Sequence, residues 1–121
     1  MFINLSNHPS DKWDENQRKE ALKYGEIVDI MFPYVDPEAD EAHVVQAAEK
    51  IMSRILQTEN IEAVMVQGEY TLTYEIVKRL QGESIKALCS CTRRDTTEFT
   101  DESGNLIKQS VFRFVKFREY T

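Results

Sequence analysis

A chain of 121 residues, of which 41% are hydrophobic, is long enough to bury one core, and we expect a single domain over residues 1–121. The formal charge of −6 argues against a general nucleic-acid binder, because nonspecific affinity for DNA and RNA comes from Lys and Arg side chains that neutralise phosphates. No apolar run approaches the roughly 20 residues that span a bilayer, and the start lacks a secretory signal pattern, so we expect a cytoplasmic protein with no membrane contact.

The charged residues are unevenly distributed along the chain. Residues 1–83 carry 8 basic and 16 acidic side chains, whereas residues 84–121 carry 7 basic and 5 acidic ones. An anionic ligand is therefore expected to meet the C-terminal third. Cys89 and Cys91 are two positions apart, which is neither a C-x-x-C redox motif nor a zinc knuckle, so we expect two buried thiols and no metal or cofactor.

The first predicted element is the strand "MFINLS", residues 1–6. The following "NHPSD" ends it, because the residue before a proline is pushed out of the helical region. Asp14 and Gln17 form a capping-box pattern that predicts the start of the first helix, although Ser10 could cap it earlier. Gly25 supplies the usual C-terminal stop.

The second predicted strand is "EIVDIMF", residues 26–32, closed by Pro33. Asp36 and Asp40 both offer an N-cap for the second helix. Apolar residues then recur with helical spacing over residues 44–56, which is the strongest helical pattern in the chain.

The next elements continue the alternation of strands and helices. "IEAVMVQ", residues 61–67, is the third strand, residues 71–80 form the third helix, and "IKALCSC", residues 85–91, is the fourth strand. This order predicts a Rossmann-like α/β fold, with a mostly parallel sheet, right-handed crossovers and helices on both faces.

The last part of the chain changes to strand periodicity. "DTTEFT", residues 95–100, and "LIKQSVFRFVKFREY", residues 106–120, flank the turn "DESGN", which predicts a C-terminal antiparallel hairpin. Simple alternation divides its apolar side chains between two faces, with Phe112 and Phe114 on one and Val111, Val115 and Phe117 on the other.

Three segments are expected at the carboxyl edge of this sheet: "SNHPS" after the first strand, "QGEYT" after the third and "TRRDT" after the fourth. Ligands of open α/β sheets bind at this edge, and the third helix would direct free backbone amides and the Thr71 or Thr73 hydroxyl there. The segments offer hydrogen-bonding, proton-transferring and phosphate-binding groups and a permissive glycine: Ser6, Asn7, His8, Gly68, Glu69, Arg93 and Arg94.

Simpler structural interpretations stay open for several of these residues. His8 fits an exposed loop histidine, and Glu69 fits a first-turn carboxylate that complements the helix dipole. Arg93 and Arg94 are adjacent on an extended chain, so only one of them is expected to reach a ligand.

Four stretches in order, "MFINLSNHP", "VMVQGEYTLTYEIV", "ALCSCTRRDTTE" and "KQSVFRFVKFREY", resemble the small stand-alone relatives of CARF domains found in type III CRISPR loci. That family includes the single-domain ring nucleases. Its members have a Ser-His or similar pair after the first strand, a strand-end Gln-Gly-acidic sequence, a Thr-Thr-x-Arg after strand four and a terminal "SVF-x-x-V-basic-F-basic-x-Tyr" strand. Two positions depart, because Cys91-Thr92 replaces the Thr-Thr pair and Phe114 replaces a His of the last strand.

The resemblance implies a CARF-like homodimer that cradles a cyclic oligoadenylate across its two-fold axis. It also implies metal-independent cleavage, in which a ribose 2′-OH attacks the neighbouring phosphate and leaves a 2′,3′-cyclic phosphate. The implied catalytic residues are His8, Glu69 and Arg93, with His8 as proton donor or acceptor. The implied ligand contacts are Ser6, Asn7, Gln67, Gly68, Thr71, Thr73, Thr92, Arg94, Lys116 and Arg118.

Three alternative functions remain open at this point. The missing His at position 114 favours a sensor or sponge that binds the same ligand without cleaving it. Glu69 could instead be the nucleophile of a nucleotide N-glycosidase-like enzyme. Finally, the long aromatic terminal strand could be only the interface of a partner-binding subunit.

Overall fold

The computed structural model describes residues 1–121 as a five-stranded sheet with helices on both faces. The strands lie in the order β2-β1-β3-β4-β5, with β1 to β4 parallel and β5 antiparallel to β4. This confirms the predicted α/β fold with its C-terminal hairpin. The elements are β1 Phe2–Ser6, α1 Glu15–Leu22, β2 Ile27–Met31, α2 Glu41–Leu56, β3 Ala63–Val66, α3 Tyr70–Gly82, β4 Ala87–Thr100 and β5 Leu106–Glu119.

The interior strand β1 is covered on both faces, because its alternate side chains enter two separate apolar clusters. Ile3 and Leu5 belong to the larger cluster of 16 buried residues, which α2 and α3 complete on one face. Phe2 belongs to a cluster of 5 buried residues on the other face, which contains Ala21 of α1. We call these the α2/α3 face and the α1 face.

The helices begin at capping residues that the sequence offered. The Asp14 carboxylate accepts a hydrogen bond from the Gln17 amide, so Asp14 caps α1 as the capping-box pattern predicted. Ser10 instead opens a short 3-10 turn, Ser10–Lys12. Asp40, rather than Asp36, caps α2 by accepting from the amide of His43.

The predicted end of the fourth strand at residue 91 is wrong. β4 continues without a break to Thr100 and pairs with β5 along its whole length, so "TRRDT" is strand rather than loop. No Gly or Pro interrupts residues 92–100, and the threonines and Phe99 there favour extended backbone. β3 pairs with β4 only as far as Leu88, so residues 92–114 form a two-stranded extension that we call the arm.

A β-bulge at the base of the arm also corrects the predicted alternation. Cys91 pairs with Lys116 but Thr92 pairs with Phe114, which leaves Val115 without a cross-strand partner. The extra residue turns the following side chains over, because strand periodicity is two. Phe117 therefore shares a face with Phe114, and their ring centroids are 4.8 Å apart.

None of the helices combines the length and the apolar character that a membrane span requires.

Candidate functional site

The carboxyl ends of β1 and β3 form a topological switch point. The chain leaves β1 towards α1 on one face and leaves β3 towards α3 on the other, and such a divergence opens a crevice at the sheet edge. A cavity of about 750 Å³ lies here, on the α1 face, and we call it the switch cleft. Its walls and floor are made by Ser6, Asn7, His8, Pro9, Lys12, Trp13, Asp14, Gln17, Met65, Gln67, Ser90, Thr92, Phe112 and Phe114.

Asn4 anchors the loop that follows β1. Asn4 is only 1% exposed, and its Nδ2 donates to the His8 carbonyl at 2.9 Å and to Asp29 Oδ1 at 3.0 Å. Its Oδ1 accepts from the Ser6 hydroxyl at 2.7 Å, and Ser6 Oγ accepts from the His8 amide at 3.2 Å. Because a buried amide is costly to leave unpaired, these bonds fix the backbone of His8 beside the end of β1.

Two further residues complete this anchor. Asp29 of β2 accepts from the Ser10 hydroxyl at 3.0 Å, and the Trp13 indole donates to the His8 carbonyl at 3.1 Å. The Trp13 ring also packs edge-on against Phe2, with centroids 6.2 Å apart. The loop backbone is therefore held in place, while His8 is an exposed residue that lines the cleft.

Gln67 spans a gap in the floor of the cleft. β3 and β4 no longer pair beyond Met65 and Leu88, and the Gln67 side-chain oxygen accepts the backbone amide of Ser90 in place of a ladder bond. Since Oε1 is occupied by Ser90, the Nε2 group is left as the free donor of this amide, on a residue that lines the cleft. Gln67 can therefore offer two N–H groups to an acceptor on a ligand.

The far wall of the cleft belongs to the hairpin. Phe114 is 8% exposed and Phe112 is 66% exposed, so the Phe114 ring is packed within the wall and the Phe112 ring is open to solvent. The Phe114 amide, beside the bulge, donates to Asp14 Oδ2 at 3.2 Å. Asp14 therefore ties the hairpin to the start of α1 and sets the width of the cleft between them.

Arg94 lies on the cleft side of the arm and Arg93 does not. Arg94 pairs with Phe112 across the hairpin, so it shares the face of the cleft-lining ring, and its guanidinium carbon is 6.0 Å from that ring centroid. Its side chain donates to Ser110 Oγ at 3.1 and 3.2 Å. Arg93 pairs with Arg113 on the opposite face.

Lys116 and Arg118 share that opposite face, across from Cys91 and Cys89. Both thiols are free and half-buried, where we expected full burial. Burial is the main reason that the pKa of Cys89 is raised, and the neighbouring Cys91 raises it further. This thiol is therefore held in its protonated, weakly nucleophilic form. No group of three or more His, Cys, Asp or Glu side chains has the proximity needed to hold a metal ion.

The start of α3 uses Glu69 as its N-cap. The carboxylate accepts from the Leu72 amide at 2.8 Å and from the Thr71 hydroxyl at 2.7 Å. The hydrogen bond from the Leu72 amide is the main reason that the pKa of Glu69 is lowered from its usual value, and the bond from the Thr71 hydroxyl lowers it further. Glu69 is therefore ionised at neutral pH and occupied within its own helix turn.

The neighbours of Glu69 also make contacts within the fold. A Cβ at Gly68 would lie 2.5 Å from the Phe32 ring, so glycine is required for this packing. Thr71 lines a separate groove of about 390 Å³ between α2 and α3, with Tyr70 and Tyr74. The Thr73 hydroxyl is buried without a hydrogen-bond partner.

The structure thus divides the predicted site residues into groups. The switch cleft brings together Ser6, Asn7, His8, Gln67 and Thr92, with Arg94 on the adjoining arm. Gly68, Glu69, Thr71 and Thr73 lie at the start of α3 and do not line it, and Arg93, Lys116 and Arg118 lie on the opposite face of the hairpin.

Lys12, Trp13, Ser90 and Phe112, which line the cleft, and Asn4, which anchors its loop, were not predicted from the sequence. Asn4 carried a usable signal, because a polar amide within the otherwise apolar run "MFINLS" must find partners when it is buried. The others depend on the path of the loop and on the bulge, which no local pattern encodes.

Comparison with protein families gives a match to the model of the Uncharacterized protein MJ1673 family over residues 1–118. No curated protein and no solved structure matches the chain.

Proposed function

The chain belongs to the Uncharacterized protein MJ1673 family, and we propose that it binds cyclic oligoadenylate in its switch cleft and cleaves it as a cytoplasmic, homodimeric ring nuclease. The observation that carries this proposal is the set of groups that converges on the cleft. An imidazole, a cation, a free amide donor and two aromatic surfaces line one cavity at the switch point. The sequence resemblance to CARF-like ring nucleases supplies the identity of the ligand.

The cleft supports binding of an adenine nucleotide in two ways. Trp13 and Phe112 offer aromatic surfaces on which a base can stack, and single-stranded nucleic acids are commonly held through such stacking. Lys12 in the cleft and Arg94 beside it can pair with phosphate oxygens. The free Nε2 donor of Gln67 can hydrogen-bond a ring nitrogen or a phosphate oxygen.

The proposed reaction needs no group beyond the ligand and the cleft. The ribose 2′-oxygen attacks the adjacent phosphorus, the bond from phosphorus to the 5′-oxygen breaks, and the products are a 2′,3′-cyclic phosphate and a 5′-hydroxyl. One proton leaves the 2′-hydroxyl and one reaches the 5′-oxygen. His8 is the cleft residue suited to this transfer, and its backbone is fixed by Asn4 and Trp13.

Two residues change their proposed roles once the geometry is known. Glu69 is engaged as the cap of α3, so we no longer propose it as a base. Arg94 replaces Arg93 as the proposed phosphate ligand, because Arg94 shares the face of the cleft-lining side chains.

Incubation of the protein with labelled cyclic tri- and tetra-adenylate in EDTA tests the reaction. We expect linear products that end in a 2′,3′-cyclic phosphate. His8→Ala should lower the single-turnover rate by about 10²- to 10⁴-fold and leave ligand binding intact. His43→Ala is the matched control, because His43 is the other histidine of the chain and lies exposed on α2. Intact ligand at stoichiometric wild-type protein would reject catalysis.

A second candidate function is a sensor or sponge that holds the same ligand without cleaving it. Phe114 favours this candidate, because the hairpin wall presents a packed aromatic ring at the position where the resembling family has a His. Tight binding of cyclic oligoadenylate with no turnover would select it.

Binding itself is tested with paired variants. Gln67→Glu keeps an oxygen for the Ser90 amide but replaces the free donor with a negative charge, so affinity for an anionic ligand should fall. Arg94→Ala should weaken binding by about 10- to 100-fold, whereas Arg93→Ala, one residue away on the opposite face, should not. Equal effects of the two arginine variants would contradict the proposed site.

A further inference from the structure

Over most of its length the arm consists of two strands alone, with no third strand or helix packed against it. Beyond Thr92, β4 pairs only with β5, and the other elements that these two strands contact are β3, α1 and α3. A two-stranded ribbon alone is marginally stable in water, and this one exposes Phe112 and Leu106 on its cleft side at 66% and 63%. This side of the arm therefore has apolar surface that nothing within the chain covers.

The cleft side of the arm is self-complementary. Cross-strand pairing places Thr92, Arg94, Thr96, Glu98 and Thr100 of β4 on this side, opposite Phe114, Phe112, Ser110, Lys108 and Leu106 of β5. Basic Arg94 and acidic Glu98 lie at equal distances on either side of Thr96. A two-fold axis at Thr96 would therefore place each Arg94 opposite a Glu98 of a second copy.

We propose that two copies of the chain associate through the cleft sides of their arms, packed face to face and antiparallel about a two-fold axis at the Thr96–Ser110 pair. In this arrangement Arg94 faces the partner's Glu98, and Phe112 faces the partner's Lys108. Both contacts join groups that attract each other, by charge and by cation–π interaction. The partner's Leu106 lies at the height of Phe114, beside the exposed Phe112 ring that borders the switch cleft.

The opposite side of the arm is a poorer match for a second copy. Its Arg113 is already paired with Asp95 at 2.8 Å. At the tip, the Asp101 carboxylate accepts hydrogen bonds from the backbone amides of Ser103 and Asn105, so it is already engaged within the turn. On the cleft side Glu98 also forms a salt bridge, with Lys108, but at 3.5 Å it is longer, and the Glu98 side chain is 53% exposed.

The arm interface rests on the homodimer of the proposed function, and it determines how many ligands each dimer can hold. Thr92 and the partner's Thr92 would lie about 27 Å apart along the strands, eight residues at about 3.4 Å each. Each cleft would therefore hold its own ligand, whereas the family resemblance implies one ring shared across the axis. Arg94 and Phe112 belong to both the proposed ligand site and this interface, whereas Glu98 belongs to the interface alone. Loss of the dimer in Glu98→Arg with ligand binding retained therefore distinguishes failure of one proposal from failure of the other.

A charge-exchange experiment on the full chain, without ligand, tests the interface. Sedimentation equilibrium should give a dimer for the wild type and monomers for Arg94→Glu and for Glu98→Arg, because each variant dimer contains two like-charged pairs. An equimolar mixture of the two variants should restore the dimer, since both cross-copy pairs are then of opposite charge. Circular dichroism of each variant confirms that it remains folded.

Arg93→Glu is the matched control, one residue away on the opposite side of the arm, and should leave the dimer intact. Monomeric wild type, a variant mixture that stays monomeric, or loss of the dimer in Arg93→Glu would each overturn the proposed interface. A short bifunctional maleimide gives a second measurement in a background that carries Cys89→Ser and Cys91→Ser. Thr96→Cys should cross-link between copies and Thr97→Cys should not.

Discussion

Tyr120 closes the gap where β3 and β4 separate. Its hydroxyl donates to the Val66 carbonyl at 2.7 Å, a β3 group that has no β4 partner at this position. Burial raises the pKa of Tyr120 to about 12, because the charged phenolate is poorly solvated there. A single side chain just beyond the last strand therefore stabilises the sheet edge behind the switch cleft.

Tyr120→Phe should lower the free energy of unfolding by about 1–2 kcal/mol at neutral pH, because it leaves the Val66 carbonyl unpaired. The pH dependence should also change. A raised pKa in the folded state gives stability that is complete below the ordinary tyrosine pKa of about 10 and is lost as the pH rises towards 12. Urea titrations between about pH 9 and 12 measure this loss, which the variant should lack. An identical pH profile for both proteins would contradict the role of this hydroxyl.

Glu69 gives a second prediction at the scale of single residues. Glu69→Ala should destabilise the protein by about 1 kcal/mol at pH 7, as expected for loss of a helix N-cap, and Glu69→Asp should retain most of the stability. Because the pKa of Glu69 is lowered on folding, this stability is present above the ordinary glutamate value of 4.5 and is lost as the pH falls through the lowered one. Denaturant melts at pH 7 and at about pH 3 measure the difference. If the difference in the free energy of unfolding between wild type and Glu69→Ala stays constant with pH, the carboxylate is not its cause.

At the scale of elements, the junction between β3 and α3 depends on close contact with the residue after β2. Gly68 lies so near the Phe32 ring that no side chain fits between them. In the "QGE" sequence, Gly68 allows close packing, Gln67 lines the cleft and Glu69 caps the helix. Three adjacent residues perform three separate tasks because the chain turns from strand to helix at this point.

Gly68→Ala should destabilise the protein by about 1–3 kcal/mol, since the added Cβ overpacks the ring of Phe32. Phe32→Leu should also cost stability, because it removes volume from the core. The double variant should lose less than the sum of the two, since the smaller side chain makes room for the methyl group. Thermal melts of the four proteins form the cycle. Additive losses would show that the contact does not determine the need for glycine.

At the scale of the whole molecule, ligand binding should appear as increased stability. A ligand that binds only the folded state stabilises it by about 2.7 kcal/mol when its free concentration is about 100 times Kd. For a chain of this size we expect a rise in Tm of about 10 °C when cyclic tetra-adenylate is added to the His8→Ala variant, in which binding is retained and cleavage is slow. Adenosine 5′-monophosphate at the same phosphate concentration is the control for a general anion effect. Equal shifts with both ligands would contradict recognition of the cyclic form.

The sequence predicted those features that depend on local patterns. The β-branched runs and helical spacing gave the order of elements, and Asp14 with Gln17 gave the start of α1, because a cap requires only residues three positions apart. The sequence also grouped Ser6, Asn7, His8 and Gln67 at one edge, since parallel strands end on the same side. These features follow from rules that act within a few residues or within one sheet.

The tertiary structure decided everything that depends on long-range pairing. The continuation of β4 past residue 91 required a partner strand of matching length, and the bulge at Val115 turned Phe117 to the face of Phe114. The same pairing placed Arg94 beside the cleft and Arg93 away from it. The sequence by itself therefore determined the fold and the edge that carries the candidate site, because backbone preference and hydrophobic period are local properties. Only the folded chain determined which side chains face the cleft, because one unpaired residue in a strand reverses every orientation that follows it.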